Sequence, residues 1–376
     1  MDKGPRDTKN MDKEPGGMGP SKIVWAGIPG SICNLDCAYC YVGSHKGKKG
    51  EFAYPVDHMI RCFEPARFGG PIFFGAASSG ETLLWEGIID FTHGMLSHGH
   101  VVSYTTNMTL TPVIRKFCDF PPDLRSRLEL DASLHYLELK QKKALDIYFD
   151  NLRMLKSAGI SIALFLCISD AYLPYLREIS ERCREEIGLL PVAGMTRRYD
   201  KQGAITSGSY SPEKDALVKE TCDFRQWELQ KRIYGQKRTE ICHAGEYSIN
   251  VDLGSGSYSK CWGNSGWPGW WWKWLSPFQV YDQAMRKLRN GQGWATGNIF
   301  ADPESPIRFE PIGTCPFRDC VCASYLCWGL IPELAVDTHS RSFFTRDSVS
   351  QEVWNFMDSR VKGCGVPVPK GELISA

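Results

Sequence analysis

Cys33-Asn34-Leu35-Asp36-Cys37-Ala38-Tyr39-Cys40-Tyr41 sets three cysteines at a CxxxCxxC spacing, just after the apolar run at residues 23–28. Three thiolates from one short loop are enough to bind three irons of a cubane [4Fe-4S] cluster, leaving the fourth iron open to a small molecule. Thiolate ligation is the usual way proteins hold such clusters. A tetrahedral zinc site is the alternative, and it requires a fourth ligand from elsewhere in the chain.

Working outward, residues 21–199 alternate short apolar runs with longer amphipathic ones. The apolar runs predict strands at residues 22–28, 71–76, 101–106, 128–134, 160–168 and 189–195. The segments between them predict helices near residues 58–68, 86–97, 139–158 and 172–187. In the third of these, Leu145, Tyr148, Phe149, Leu152 and Leu155 recur at the spacing of one helix face. Gly159 and Gly188 stand where helices end. The run at residues 160–168 is continuously apolar, as in a strand buried on both faces of a parallel sheet. Strands alternating with helices imply a parallel α/β sheet with right-handed crossovers. Six such units make a partial (β/α)6 barrel, with chemistry at the C-terminal ends of the strands, as in β/α barrels generally.

The cysteine loop, with aromatic Tyr39 one place before Cys40, resembles the CxxxCxΦC motif of the radical S-adenosylmethionine (SAM) enzymes. The partial barrel agrees with that family's core. The resemblance implies that Cys33, Cys37 and Cys40 hold a [4Fe-4S] cluster whose open iron chelates the amino and carboxylate groups of SAM. It further implies that Ser79-Gly80-Glu81 stands in for the family's Gly-Gly-Glu motif, with Glu81 receiving the SAM ammonium and Ser79 replacing the first glycine. Asn107, Ser133 and Arg197 (or Arg198) follow the third, fourth and sixth strands. On the resemblance, Asn107 lies near the SAM ribose and carboxylate, Ser133 at the ribose, and the arginine at the carboxylate, which a guanidinium fork suits. A helix-N-terminal charge is the alternative for Glu81, and turn chemistry or surface charge the alternative for Asn107, Ser133 and Arg197.

Residues 200–239 are polar, with helices expected at residues 212–221 and 224–234, and read as a bridge. A second cysteine field follows at residues 240–335, before a tail at residues 336–376. Cys242 and Cys261 flank a predicted β-hairpin at the spacing CX13GX4C, and the hairpin would bring the two thiols together. Cys315, Cys320, Cys322 and Cys327 come next, with Cys364 near the end. The field resembles the SPASM and twitch extensions of radical SAM enzymes, which hold one or two auxiliary [4Fe-4S] clusters. Its inner spacing departs from theirs, so the number of clusters and the ligand assignment stay open, with zinc the rival for any one site. Five tryptophans fall within residues 267–274. They read as an aromatic plug or as a wall of the substrate pocket. Ser276 and Pro277 begin a predicted helix to about residue 290, and residues 347–360 a final one.

The chain has 376 residues, 44 basic against 43 acidic, which gives nucleic acid or a polybasic membrane surface no footing. No apolar run is long enough to span a bilayer. The charged, Gly/Pro-rich residues 1–20 lack the apolar core of a signal peptide and read as a disordered leader. Fifteen cysteines without such a signal suggest a cytoplasmic metalloprotein rather than a secreted disulfide scaffold. Cys62, Cys118, Cys167, Cys183 and Cys222 lie outside both fields and read as buried structural thiols.

The resemblance implies an enzyme that reductively cleaves SAM to a 5′-deoxyadenosyl radical, which removes a hydrogen atom from substrate, with flavodoxin or ferredoxin as electron donor. An auxiliary cluster would allow net oxidation. Substrates in the wider family include ribosomal peptides as well as sugars, aminoglycosides and nucleoside-like metabolites. With about twenty residues before the first strand, the reading leans to a small polar metabolite, with a peptide-modifying maturase as runner-up. A non-catalytic Fe–S or zinc protein is the reading from another class.

Overall fold

A computed structural model describes residues 22–40, 47–200, 203–206, 211–233, 238–261, 297–315, 330–331 and 350–353. The tryptophan segment, Cys320, Cys322, Cys327, Cys364, the helix expected at residues 276–290 and most of the one expected at residues 347–360 lie outside these.

Six parallel strands run in sequence order: β1 (Lys22–Ile28), β2 (Ile72–Ser78), β3 (Val101–Thr106), β4 (Leu128–Ser133), β5 (Ser161–Ile168) and β6 (Val192–Met195). Helices cross between them: α1 (Val56–Cys62), α2 (Ile88–Ser97), α3 (Thr111–Cys118), α4 (Pro122–Arg125), α5 (Tyr136–Gln141), α6 (Leu145–Ser157) and α7 (Leu176–Ile187). This is the expected α/β partial barrel. The long helix predicted at residues 139–158 is two, because Lys143 takes φ 54°, a left-handed conformation that interrupts the helical ladder. Gly188 closes α7 at φ 78°, as its position suggested.

The strand period divides the sheet into two faces. Val24, Phe74, Tyr104, Leu130, Leu164 and Ala193 pack outward under the helices in the main core. Alternate residues point the other way. Ile23, Phe73, Val101, Ala163 and Val192 form an apolar floor on the inner face, closed by Leu229, Cys242, Ala244 and Ile331. Toward the C-terminal ends of the strands the inner face turns polar, through Ser103, Thr105, Asp131 and Ser133. Burial of Cys62, Cys183 and Cys222 agrees with a structural role; Cys167 is exposed, because its place on β5 puts it on the inner face.

After β6 come a short hairpin of β7 (Arg197–Asp200) and β8 (Gly203–Thr206), and then α8 (Pro212–Thr221) and α9 (Arg225–Ile233). The Gln230 side chain of α9 accepts from Met195 N at 2.7 Å, fixing that helix on β6.

The hairpin of the second cysteine field does not stand apart from the barrel. Its strands β10 (Ser248–Asp252) and β11 (Ser257–Ser259) pair antiparallel as expected, but β10 also pairs parallel with β1, Ile23 opposite Ser248 through Gly27 opposite Asp252. Among the described residues the sheet thus has nine strands, with β12 (Gly297–Asn298) on its edge and β1 inside it. The physical reason is in β10 itself. Ile249 and Val251 continue the outer apolar layer, which gives the strand a core to join. A separate pair, β9 (Ile241–Cys242) with β13 (Gly313–Thr314), sets Cys242 opposite Gly313.

Candidate active site at the strand ends

The cysteine loop leaves β1 at the C-terminal edge of the sheet and is tied down at several points. Glu81 N donates to Ile32 O at 2.8 Å, Ser78 Oγ donates to Gly30 O at 3.1 Å, and Asp36 N donates to Glu138 Oε1 at 3.1 Å. The approach of the two loops is close: a Cβ on Gly80 would lie 2.0 Å from Ile32 O. Glycine is therefore required at residue 80 by backbone contact, independently of any ligand.

Cys33, Cys37 and Cys40 are half-buried thiols, none in a disulfide. Cys40 N donates to Cys37 O at 3.0 Å, and Leu35 N approaches Cys33 Sγ at 3.5 Å. Among the described residues, no three His, Cys, Asp or Glu side chains stand in metal-holding geometry. What the loop offers is a donor set: three soft thiol ligands within eight residues, on a backbone anchored to β2 and β3. That set fits three irons of a cubane and lacks the fourth ligand of a closed zinc tetrahedron.

Glu81 sits at the end of β2 with only 4% of its surface exposed. Its Oε1 accepts from Thr106 Oγ1 at 2.6 Å and from Leu83 N at 3.0 Å; its Oε2 accepts from Asn107 N at 2.8 Å. Burial pushes its pKa up, and these donors oppose the shift. The carboxylate expected to meet an ammonium is thus engaged by protein donors and ties β2 to β3. Ser79 and Gly80 are half-buried, with their backbone at the loop interface.

Asn107, 3% exposed, is bound to the cysteine loop. Its Nδ2 donates to Asn34 Oδ1 at 2.7 Å and lies 3.9 Å from Cys33 Sγ. Its Oδ1 accepts from Thr109 Oγ1 at 2.6 Å, and Thr109 Oγ1 accepts from Asn34 Nδ2 at 2.7 Å, closing a ring of three side chains. Tyr39 lies against the core, its hydroxyl 2.6 Å from His135 Nδ1 and its ring edge-on to Tyr172 at 5.6 Å. Ser133 ends β4, half-buried on the inner face. Arg197 begins β7, its backbone paired with Thr206.

Sequence reasoning missed His135, Glu138 and Thr106, which anchor the loop or its neighbours. It also missed Glu129 and Asp131 on β4. The signal for these two was present: in Leu-Glu-Leu-Asp-Ala-Ser, residues 128–133, the outward places are apolar and the inward places polar. A parallel strand buried on both faces is ordinarily apolar throughout.

In the second field, β9 and β13 carry Cys242 close to Cys315, two residues beyond its partner Gly313. Asn250 pairs with Ser259, so the end of β11 leads Cys261 back alongside Ser248, and Cys261 packs on the inner core that contains Cys242. Cys242 and Cys261 thus share one core on the inner face, and among the described residues these cysteines with Cys315 do not form a metal-holding group of three.

No family model and no curated protein matches the sequence. Among solved structures, Streptococcus suis SuiB bound to precursor peptide SuiA is similar at 14% identity and TM-score 0.46, over 65% of this chain and 60% of that one. This chain therefore spans less than two thirds of the length of that SuiB chain. Native anSMEcpe with bound AdoMet is similar at 14% identity and TM-score 0.48, over 91% of this chain and 98% of that one. BtrN in complex with AdoMet and 2-DOIA is similar at 12% identity and TM-score 0.31, over 89% and 94%.

Proposed function

We propose that this chain is a radical SAM enzyme acting on a small polar substrate. The observation that carries the reading is the anchored CxxxCxΦC loop, its three thiols presented at the C-terminal edge of a (β/α)6 sheet beside Gly80 and Asn107. Cys33, Cys37 and Cys40 would hold a [4Fe-4S] cluster. With SAM bound, that group would supply an electron for reductive cleavage and a 5′-deoxyadenosyl radical for hydrogen abstraction from substrate.

The chain's own residues set the stage. Glu81, Thr106 and Asn107 lock the ends of β2 and β3 beneath the loop. Gly80 lets the loop backbone approach. Tyr39, held by His135 and Tyr172, fixes the loop's far side. With the Glu81 oxygens already engaged, the backbone of Ser79 and Gly80 is the better candidate to meet the SAM ammonium. Ser133, on the inner face, is a candidate for the ribose, and Arg197 for the carboxylate. Cys242, Cys261 and Cys315, joined by Cys320, Cys322 and Cys327, are the candidate ligands of an auxiliary cluster that would accept an electron in a net oxidation. A flavodoxin or ferredoxin is the proposed donor to the first cluster.

The hydroxyls and carboxylates of the inner face favour a small polar metabolite. Modification of a peptide side chain is the alternative.

The test is anaerobic reconstitution of the wild type and of the Cys33→Ala/Cys37→Ala/Cys40→Ala variant, followed by assay with SAM and dithionite. The wild type should form 5′-deoxyadenosine; the variant should form none while keeping iron and sulfide in the second field. 5′-Deoxyadenosine from the variant would refute the assignment of the first loop. Stoichiometric zinc without sulfide would refute the auxiliary cluster.

A further inference from the structure

Two non-glycine residues take a positive φ among the described residues, Lys143 and Met108. Lys143 is exposed in the break between α5 and α6; Met108, at φ 59°, is fully buried immediately after Asn107. A left-handed residue with a side chain is disfavoured by its own Cβ and persists where its surroundings hold it. Here the holder is on α6: Asn151 Nδ2 donates to Met108 O at 2.8 Å. Asn151 is itself fully buried, the other buried residues of that helix are apolar or aromatic, and Asn151 Oδ1 has no hydrogen-bond partner among the described residues. A buried amide with one end unsatisfied is a cost that an apolar side chain of similar size would avoid. Helix packing therefore does not account for Asn151; its bond to Met108 does.

That bond reaches the cysteine loop through a single peptide group. The Met108 carbonyl and the Thr109 N–H belong to one planar trans unit and point in opposite directions. With the oxygen held toward α6, the N–H donates to Asn107 Oδ1 at 3.2 Å, beside the Thr109 hydroxyl at 2.6 Å. A backbone N–H only donates, so the Asn107 oxygen must face Thr109 and the Asn107 NH2 must face the other way. There it meets Asn34 Oδ1 at 2.7 Å and Cys33 Sγ at 3.9 Å. Met108 N donates to Thr106 Oγ1 at 3.1 Å and fixes the near side of the turn. An N–H directed at a ligating sulfur stabilises the more negative, reduced state of a cluster, and hydrogen bonds to the sulfurs are among the terms that set cluster potential.

We propose that Asn151 is a positioning residue for the first loop: through the Met108–Thr109 peptide it aims the Asn107 amide at Cys33, and so makes the cluster held there easier to reduce. The inference rests on the enzymatic reading for that cluster and deepens it by assigning part of the control of its potential to a buried helix residue that touches neither the loop nor the cluster ligands.

The experiment compares the wild type, Asn151→Leu, Met108→Gly and the Asn151→Leu/Met108→Gly double variant. Leucine suits the apolar helix face and removes the donor. In the full-length chain before reconstitution, Asn151→Leu should speed amide hydrogen exchange about tenfold or more over residues 33–37 and 107–109, with α7 unchanged. After anaerobic reconstitution, the paramagnetic resonance signal of the reduced first cluster is the one that the Cys33→Ala/Cys37→Ala/Cys40→Ala variant lacks. At the wild-type midpoint potential, Asn151→Leu should lower the ratio of reduced to oxidised first cluster about threefold or more. Glycine adopts the left-handed conformation without a holder. Both effects of Asn151→Leu should therefore be smaller in the Met108→Gly background, a comparison that cancels the cavity glycine leaves. Asn151→Ala supplies a second reading if Asn151→Leu does not fold. Faster exchange spread evenly over the chain, an unmoved potential, or effects of equal size in both backgrounds would overturn the inference alone. A wild type without the first-cluster signal would refute the enzymatic reading and this inference with it, so the two failures are distinguishable.

Discussion

Gly80 and Ile32 stand so close that a methyl group on Gly80 would lie 2.0 Å from the Ile32 carbonyl oxygen. Two loops meet there, one from the end of β1 and one from the end of β2, and Glu81 N donates to the same oxygen at 2.8 Å. Gly80→Ala should therefore push the cysteine loop off its anchor, because backbone cannot yield as a side-chain tip does. The expected outcome is loss of most of the iron held by the first loop after anaerobic reconstitution. Gly194→Ala is the control, since a Cβ there meets nothing within 4 Å. Equal iron in the two variants would show that the contact does not organise the loop.

Glu81→Gln should destabilise the apoprotein by about 2 kcal/mol, since an amide cannot accept at both ends and one of the three donors is left facing an NH2 group. Thr106→Val removes one of those donors and keeps the carboxylate, so its cost should be smaller, about 1 kcal/mol. Thermal or urea unfolding without metal reads both. A wild-type melt for Glu81→Gln would mean that the carboxylate does not hold β2 to β3.

His100 gives the fold an acid-sensitive point. Its Nδ1 accepts from Ile72 N at 3.1 Å, its Nε2 lies 2.7 Å from Phe63 O, and burial lowers its pKa from 6.5 to about 4. The unfolded chain therefore binds the proton first as pH falls. The stability associated with neutral His100 is present above pH 6.5 and is lost between there and about 4. Wild-type protein should lose about 3 kcal/mol over that range beyond what His100→Gln loses, as read by unfolding at a series of pH values.

Glu129 and Asp131 act in the opposite direction. Burial raises both, Asp131 to about 6 and Glu129 well above its ordinary range, and the charge on Asp131 raises Glu129 further. The folded state then holds protons that the unfolded chain releases near pH 4, so stability falls as pH rises from about 4 through about 6. The Glu129→Gln/Asp131→Asn variant should lack that decline and gain on the wild type as pH rises. Parallel pH profiles for the two proteins would indicate that burial does not make the pair hold its protons in the folded state.

The strand system was legible because its signal is local. The run at residues 101–106 matches β3, and the other five expected strands match within a few residues, since short apolar stretches, alternating in β4, stand out between the longer amphipathic segments. The junction of β10 with β1 was not legible: Ile23 and Ser248 are far apart in sequence, and neither strand's pattern names its neighbour. The same limit applies at the site. CxxxCxΦC could be read from spacing, whereas the partners of Glu81 come from Leu83, Thr106 and Asn107, two of them backbone amides. Backbone donors carry no residue signature. Glu129 and Asp131 were visible as an alternation in β4, but that alternation is also what a strand with one wet face would show, and only the packing of the inner face separates the two.

The parallel pairing of β1 with β10 has a consequence for biosynthesis. During vectorial translation β1 emerges early and finds β2 within about fifty residues, yet its other edge stays open until β10 is made, more than two hundred residues later. An unpaired apolar strand edge is a template for intermolecular association, and contacts of such separation form slowly. The nascent chain thus passes through a stage in which the loop carrying Cys33 hangs from a half-paired strand. The loop's own anchors at Glu81, Asn107 and Glu138 are all made before β10, so the first loop gains its support while the other edge of β1 is still open.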